Sequence, residues 1–237
     1  SPSLIVRDSA SFTTNAIFGN FGQIDVGNGS GDGTIGGSGT INNDGMILAA
    51  AGSIALNITN QSGGVVQVDN ATASTFTFSG IFTNSVGASL EIYGDSTHAG
   101  HATFTSNLIN DGGIVFDSGA GGGDARLTMS SGTLFNTGTI TVTMTSGGAG
   151  ILEGNVTNTG SVLINENLKL DSGEFAHNSG GSVTFANTKM LSVTNSAVFH
   201  VNGGSVDVAT PASDVADIEF DAGGKLRVDG SFMISSD

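Results

Sequence analysis

The stretch Leu134-Phe135-Asn136-Thr137-Gly138-Thr139-Ile140-Thr141-Val142 joins an apolar pair, an Asn-x-Gly turn and an alternating strand. Ten approximate copies of it run along the chain. Their turns are Asn20-Phe21-Gly22, Asn43-Asp44-Gly45, Asn60 with Gly63, Asn84 with Gly87, Asn110-Asp111-Gly112, Asn136-Thr137-Gly138, Asn158-Thr159-Gly160, Asn178 with Gly180, Asn202-Gly203 and a degenerate Asp221-Ala222-Gly223. Successive copies are 17 to 26 residues apart. A repeat of this length that holds only short strands cannot bury its own apolar face; it must stack on its neighbours.

A period-2 strand follows each turn, as in Ile24/Val26, Val66/Val68, Ile140/Val142 and Val206/Val208, with polar residues such as Thr141 and Asp207 on alternate sites. This is the pattern of a half-buried strand. Further strands of the same kind precede many turns, among them Phe76-Thr77-Phe78 and Leu168-Lys169-Leu170, and short apolar segments such as Ile81-Phe82 lie in between. Two or three strands per repeat, without a helical period, predict an all-β chain. The expected architecture is a single-stranded, right-handed parallel β-helix (a solenoid) of about ten coils. With coils about 4.8 Å apart the rod would be on the order of 50 Å long. No charge run or break in composition marks a linker, so residues 1–237 read as one continuous β-helix. The Ser1-Pro2 start, with no initiator Met and no apolar leader, reads as a fragment of a longer repetitive chain.

Asn43, Asn110, Asn136 and Asn158, with Gly45, Gly112, Gly138 and Gly160, are expected to make the structural turn. Asn tolerates the left-handed backbone region, Gly enters it freely, and stacked Asn amides can hydrogen-bond along the rod. Gly is abundant at 38 residues against 2 Pro, which agrees with frequent turns.

Composition excludes several functions. The net charge is −15 and the six basic residues (Arg7, Arg126, Lys169, Lys189, Lys225, Arg227) are scattered, so nucleic acid and anionic membrane surfaces are poor partners. No apolar run is long enough for a helix to insert in a bilayer. The absence of Cys removes disulfides and thiolate metal sites.

Function, where present on such a rod, is expected in the irregular spacers after the strands: Gly27 to Gly39, Tyr93 to Ala102, Asp117 to Asp124 and Ala209 to Asp217. The Gly-rich spacers 27–33 and 119–124, with Asp32 and Asp124, offer calcium oxygen ligands in the manner of glycine-aspartate β-roll repeats. Neither is tandemly repeated, so an ordinary spacer competes with a calcium site, and no cofactor is otherwise expected. Asp95, His98 and His101 form the densest set of potential transition-metal ligands, without an evident fourth. A glycoside hydrolase would need two opposed carboxylates; Asp25 with Asp44, Glu153 with Glu166, and Asp207 with Asp229 are the available pairs. No Trp and a single Tyr, Tyr93, are available to stack on sugars.

The coil [Ile/Phe/Leu]-x-Asn-x-Gly-[Ser/Thr]-[Ile/Val], seen at 156–162 and at 135–140, resembles the passenger regions of secreted bacterial β-helix proteins, the haemagglutinin-repeat exoproteins and autotransporter adhesins. The resemblance implies a longer parent at the bacterial outer surface, whose membrane barrel lies outside this chain. It also implies a non-enzymatic adhesive module that presents loops to a glycan or to a receptor on a host or neighbouring cell. Self-association through open coil ends is a further expectation. The alternative is a polysaccharide-active β-helix enzyme or a depolymerase like a phage tail-spike.

Overall fold

The alternation of apolar and polar residues is realised as three parallel sheets that the chain visits in fixed order. The computed structural model describes residues 3–27, 31–69, 75–95, 98–118, 122–186, 189–207, 217–221, 223–228 and 234–235. One strand per coil enters the first sheet, which has eleven strands from Ser3–Val6 to Ile234–Ser235, neighbours paired in parallel throughout. The second sheet runs from Ser11–Thr13 through Gly33–Gly36, Phe76–Phe78 and Leu168–Ser172 to Asp217–Phe220. The third runs from Ile17–Asn20 through Thr40–Asn43 and Phe82–Asn84 to Lys225–Val228. Strands Ala125–Asn136 and Gly150–Asn158 pass from the second sheet into the third without a break, and a register shift between Thr128 and Thr133 makes the corner. The short apolar segments before each turn, such as Phe82 and Leu134, are thus the strands of the third sheet.

In-register stacking sets like over like. Ile24, Ile47, Val66, Leu90, Ile114, Ile140, Val162 and Val183 form one buried column of the first sheet, and Ile41, Ile58, Phe82, Leu108, Leu134 and Val156 form one in the third. Each such side chain contributes about 1.5–3 kcal/mol by leaving water. Phe78 and Phe104 occupy the same position in adjacent coils, and their rings stack 4.8 Å apart at an interplanar angle of 12°. Phe82 meets both edge-on. The coil spacing sets that stacking distance.

The corner between the third and first sheets carries a different column. Asn20, Asn43, Asn60, Asn84, Asn110, Asn136 and Asn158 lie one above another, none more than 7% exposed. Each Nδ2 donates to the Oδ1 of the Asn in the next coil at 2.6–2.8 Å. The second Nδ2 hydrogen goes to a backbone carbonyl, as in Asn60 to Ser89 O at 2.8 Å and Asn84 to Gly113 O at 2.9 Å. The ladder therefore has one direction, with every amide donating toward the C-terminal end. His177 ends it: Nδ1 accepts from Asn158 Nδ2 at 3.0 Å and Nε2 donates to Ser205 O at 3.0 Å. Among the described residues no buried side-chain polar atom lacks a partner.

Three expectations about the turn need correction. None of the ladder Asn residues, and neither Gly45, Gly112, Gly138 nor Gly160, has a left-handed backbone. These Asn residues end strands, and the glycines are required by close packing: a Cβ on Gly138 would lie 2.1 Å from Gly112 O, and one on Gly160 2.1 Å from Gly138 O. At this corner left-handed glycines occur in the four-residue turns, at Gly63 (φ 87°) and Gly87 (φ 80°), and again toward the C-terminal end at Gly180, Gly203 and Gly204. Second, the phase slips by one residue near the C-terminal end. The ladder position there is His177, paired with Val201, while Asn178 and Asn202 pair with each other outside the core. Third, the turn at Asp221 and Gly223 joins the second sheet to the third, so it is a different corner.

Replacing Asn110 by Ala strands the Asn136 Oδ1 and one Asn84 N–H in the core. The loss expected by chemical denaturation is about 2–6 kcal/mol, while Asn178→Ala should stay within about 0.5 kcal/mol. Deleting residues 136–157 joins Phe135 to Asn158, the register partner of Asn136. The product should remain folded and be shorter by about 4.8 Å in small-angle scattering, because stability in stacked coils is nearly nearest-neighbour. Complete unfolding of that deletion would contradict stacking.

Candidate binding surfaces along the rod

The corner between the first and second sheets is where coil length varies. Its connections range from two residues at 50–51 through seven at 143–149 to nine at 208–216. All four irregular spacers of the sequence fall on or adjoin this corner, so the expected loops share one edge of the rod. Residues 28–30, 96–97, 119–121 and 209–216 of these spacers lie outside the described residues.

What can be described there is stitched from coil to coil. Asp117 Oδ1 accepts the Thr145 N–H and hydroxyl, each at 3.0 Å, and Ser118 Oγ accepts Ser146 N–H at 2.9 Å. Asp124 Oδ1 accepts Ala149 N–H at 2.9 Å, so this candidate calcium ligand holds the loop of the next coil. Gly123 must be glycine, because a Cβ would sit 2.1 Å from Asp95 O. Asp32 is exposed, and its carbonyl accepts Ser9 N–H at 2.8 Å.

The structure keeps Asp95 and His98 together but sets His101 apart from them. Asp95 Oδ1 accepts His98 N–H at 2.7 Å and lies 3.6 Å from His98 Nδ1. His101 lies in the next strand of the second sheet, Gly100–Phe104, where Nδ1 meets Thr75 Oγ1 and Nε2 meets Thr128 Oγ1, both at 2.9 Å. Among the described residues no group of three or more His, Asp or Glu could hold a metal ion. The neighbour of Asp95 that spacing did not reveal is Asp69, one coil earlier. The two carboxylates share a shallow hollow with Leu48, Ala49 and Ala50, and partial burial followed by the Asp95 charge raises the Asp69 carboxyl above its ordinary range.

The outer face of the second sheet carries the densest charge network. Arg126 bridges Glu153, which also accepts the Thr128 hydroxyl. Arg126 Nη1 lies 3.7 Å from Asp171 Oδ2, and Lys169 Nζ lies 2.7 Å from Asp171 Oδ1. Partial burial acts to raise the Asp171 carboxyl, but hydrogen bonds from Lys169, Thr194 and Asn195 and the Lys169 charge outweigh it, and it titrates at about 2. Glu166 is paired with Lys189 at 2.8 Å. Of the carboxylates a hydrolase could use, Glu153 and Glu166 are therefore each neutralised by a cation, and Asp25 accepts from Gln23 Nε2 at 2.7 Å. Asp229 lies outside the described residues. The arrangement is an ion-pair network spanning several coils.

The face of the first described coil is apolar. Leu4, Phe12 and Phe18 are only partly buried and line a hollow of about 430 Å³ together with Asn20 and Ile24. Ile17 and Phe21 beside it are exposed.

No protein-family description matches the chain, and no curated protein matches it. Among solved structures it is similar to a hyper-glycosylated TibA fragment whose glycosylation was catalysed by TibC, with 19% identity over 99% of this chain and 94% of that one and a TM-score of 0.31. At that TM-score nothing about activity passes from one to the other.

The buried imidazole of His177 and the half-buried one of His101 give the rod a pH signature. Burial lowers the His177 pKa against an opposing hydrogen bond to Ser205 O. Burial and then the Arg126 charge lower that of His101, against Glu153. In both cases the unfolded chain binds the proton more tightly than the folded one. Stability is thus fully present above about pH 6.5 and falls as the pH drops below that value. The urea midpoint should decrease between pH 7.5 and pH 5, and His177→Asn should flatten the slope. A midpoint independent of pH over that range would contradict the neutral ladder imidazole.

Proposed function

We propose that this chain is a non-enzymatic structural and adhesive module of a secreted or surface-exposed bacterial protein. The coils form a rigid rod, and the irregular corner and outer faces are its binding surfaces. The observation that carries this reading is the asymmetry of the three corners. One is held by a continuous amide ladder and short turns, while the corner between the first and second sheets varies from two to nine connecting residues without disturbing the sheets. An architecture that tolerates loop change on one edge suits the presentation of contact residues.

The partner we propose is a glycan or a receptor on a host or neighbouring cell. Net charge of −15 disfavours polyanionic ligands. The apolar face of the first coil is a second proposed contact, through which copies can self-associate. The ion-paired state of Glu153 and Glu166 supports the non-enzymatic reading over polysaccharide cleavage.

Beads coated with the purified chain should be retained on a panel of host and bacterial cell surfaces, and the chain should release no reducing ends from capsular or pectic polysaccharides. Reducing-end release that survives Glu153→Gln but is lost on replacing another carboxylate pair would establish the depolymerase instead. Absence of retention on every surface would overturn the adhesive reading.

A further inference from the structure

The outer face of the third sheet departs from a plain solvated strand surface in one region. Four successive coils place Phe135, Thr157, Ala176 and His200 in one outward row. At about 4.8 Å per coil this row spans roughly 14 Å. The adjacent row carries Thr133 and Asn155 in register, followed by Glu174, whose N–H donates to Asn155 Oδ1 at 3.3 Å. Ala176 ends in a methyl where its neighbours carry larger groups. The surface dips there into a groove of about 270 Å³ lined by Thr133, Asn155, Thr157, Glu174 and Ala176.

The two ends of this groove differ in chemistry. Phe135, next to Thr157, is a 40% exposed aromatic ring that follows Ile109 in the same outward row. His200 also faces outward, yet it is only 7% exposed, and its Nδ1 is 2.6 Å from Glu174 Oε1. That contact fixes the Glu174 carboxylate and leaves Oε2 as an acceptor toward the groove. Asn155, accepting through Oδ1, keeps Nδ2 as a donor. The Thr133 and Thr157 hydroxyls can serve as either. Donors and acceptors thus alternate over a few ångströms beside an apolar ring.

We propose that this groove binds a neutral oligosaccharide. One pyranose ring lies with its C–H face on Phe135, where the electron-rich ring face meets weakly positive hydrogens. Its hydroxyls, each both donor and acceptor, bond to Asn155 Nδ2, Glu174 Oε2 and the threonines. An acidic sugar is disfavoured by Glu174. A cationic peptide is disfavoured because the one carboxylate is already shared with His200. The inference rests on the adhesive reading above and gives it a ligand class.

The test is a glycan array probed with the full chain, followed by titration calorimetry on a retained neutral oligosaccharide. Wild type should be retained by neutral glycans. Phe135→Ala and Asn155→Ala should each weaken binding by about tenfold or more while the chain keeps its cooperative unfolding; Asn155→Ala also gives up the Glu174 N–H bond, a small loss of stability. Thr83→Ala, in the same row two coils before Phe135, should bind as wild type. Retention on sialylated or sulfated glycans alone, no retention by any neutral glycan, or wild-type affinity in both groove variants would overturn the proposal. The two readings fail separately. Cell retention preserved in Phe135→Ala removes the groove and leaves the adhesive rod, whereas no cell retention by wild type removes the rod's adhesive role.

Discussion

Everything in this rod depends on exact superposition of one coil on the next, and the interaction least forgiving of error is the buried amide ladder. An apolar column tolerates a shift of an ångström, because dispersion contacts are many and weak. A buried amide does not: displaced from its neighbour, it loses a hydrogen bond in a medium that offers no water in exchange. The line from Asn20 to Asn158 therefore specifies register more than it adds stability. A slip by one residue would turn the amides to solvent and bring residues such as Asp44 and Asp111 into the core.

That constraint explains which features could be read from the residues and which could not. The all-β coil architecture was legible because the period-2 alternation in segments such as Val66-Gln67-Val68 has few other outlets. The stacking of Asn was legible from its recurrence. The backbone reason for glycine was not, because Gly at a left-handed position and Gly at a crowded one look alike in a sequence; Gly63 is the first kind and Gly138 the second. The phase slip at His177 was hidden by a chemical coincidence. Asn178 stands one residue on, and only the inward direction of the side chain separates a ladder rung from a surface amide.

Site residues were harder to read because proximity in a solenoid is set by coil number, not by sequence distance. Asp95, His98 and His101 fall within seven consecutive residues, yet His101 lies within a strand of the second sheet and is held by Thr75 and Thr128 from the coils on either side. Arg126, Glu153 and Asp171 are far apart in sequence and meet in one ion-pair network. The outer face of each sheet acts as a grid whose rows run along the rod. Its local chemistry becomes visible only once the register is known.

The same grid relates scaffold to binding. Where every coil repeats the same residue, the rod has a structural column: Asn at the corner, Ile and Val inside. Where a row breaks its pattern, the break needs a physical reason. His177 replaces an amide at the point where the ladder must end on a backbone carbonyl, so that break is structural. The outward row Phe135, Thr157, Ala176, His200 has no such requirement, since none of these side chains carries a ladder bond or fills the apolar column. Coils nearer the N-terminal end fill this row with Asn42, Thr59 and Thr83, whereas here it passes from Ile109 and the partly exposed Phe135 to His200, which is covered and held by Glu174. The row thus changes from apolar to polar over a few coils, and that change of character is where the proposed sugar contact sits.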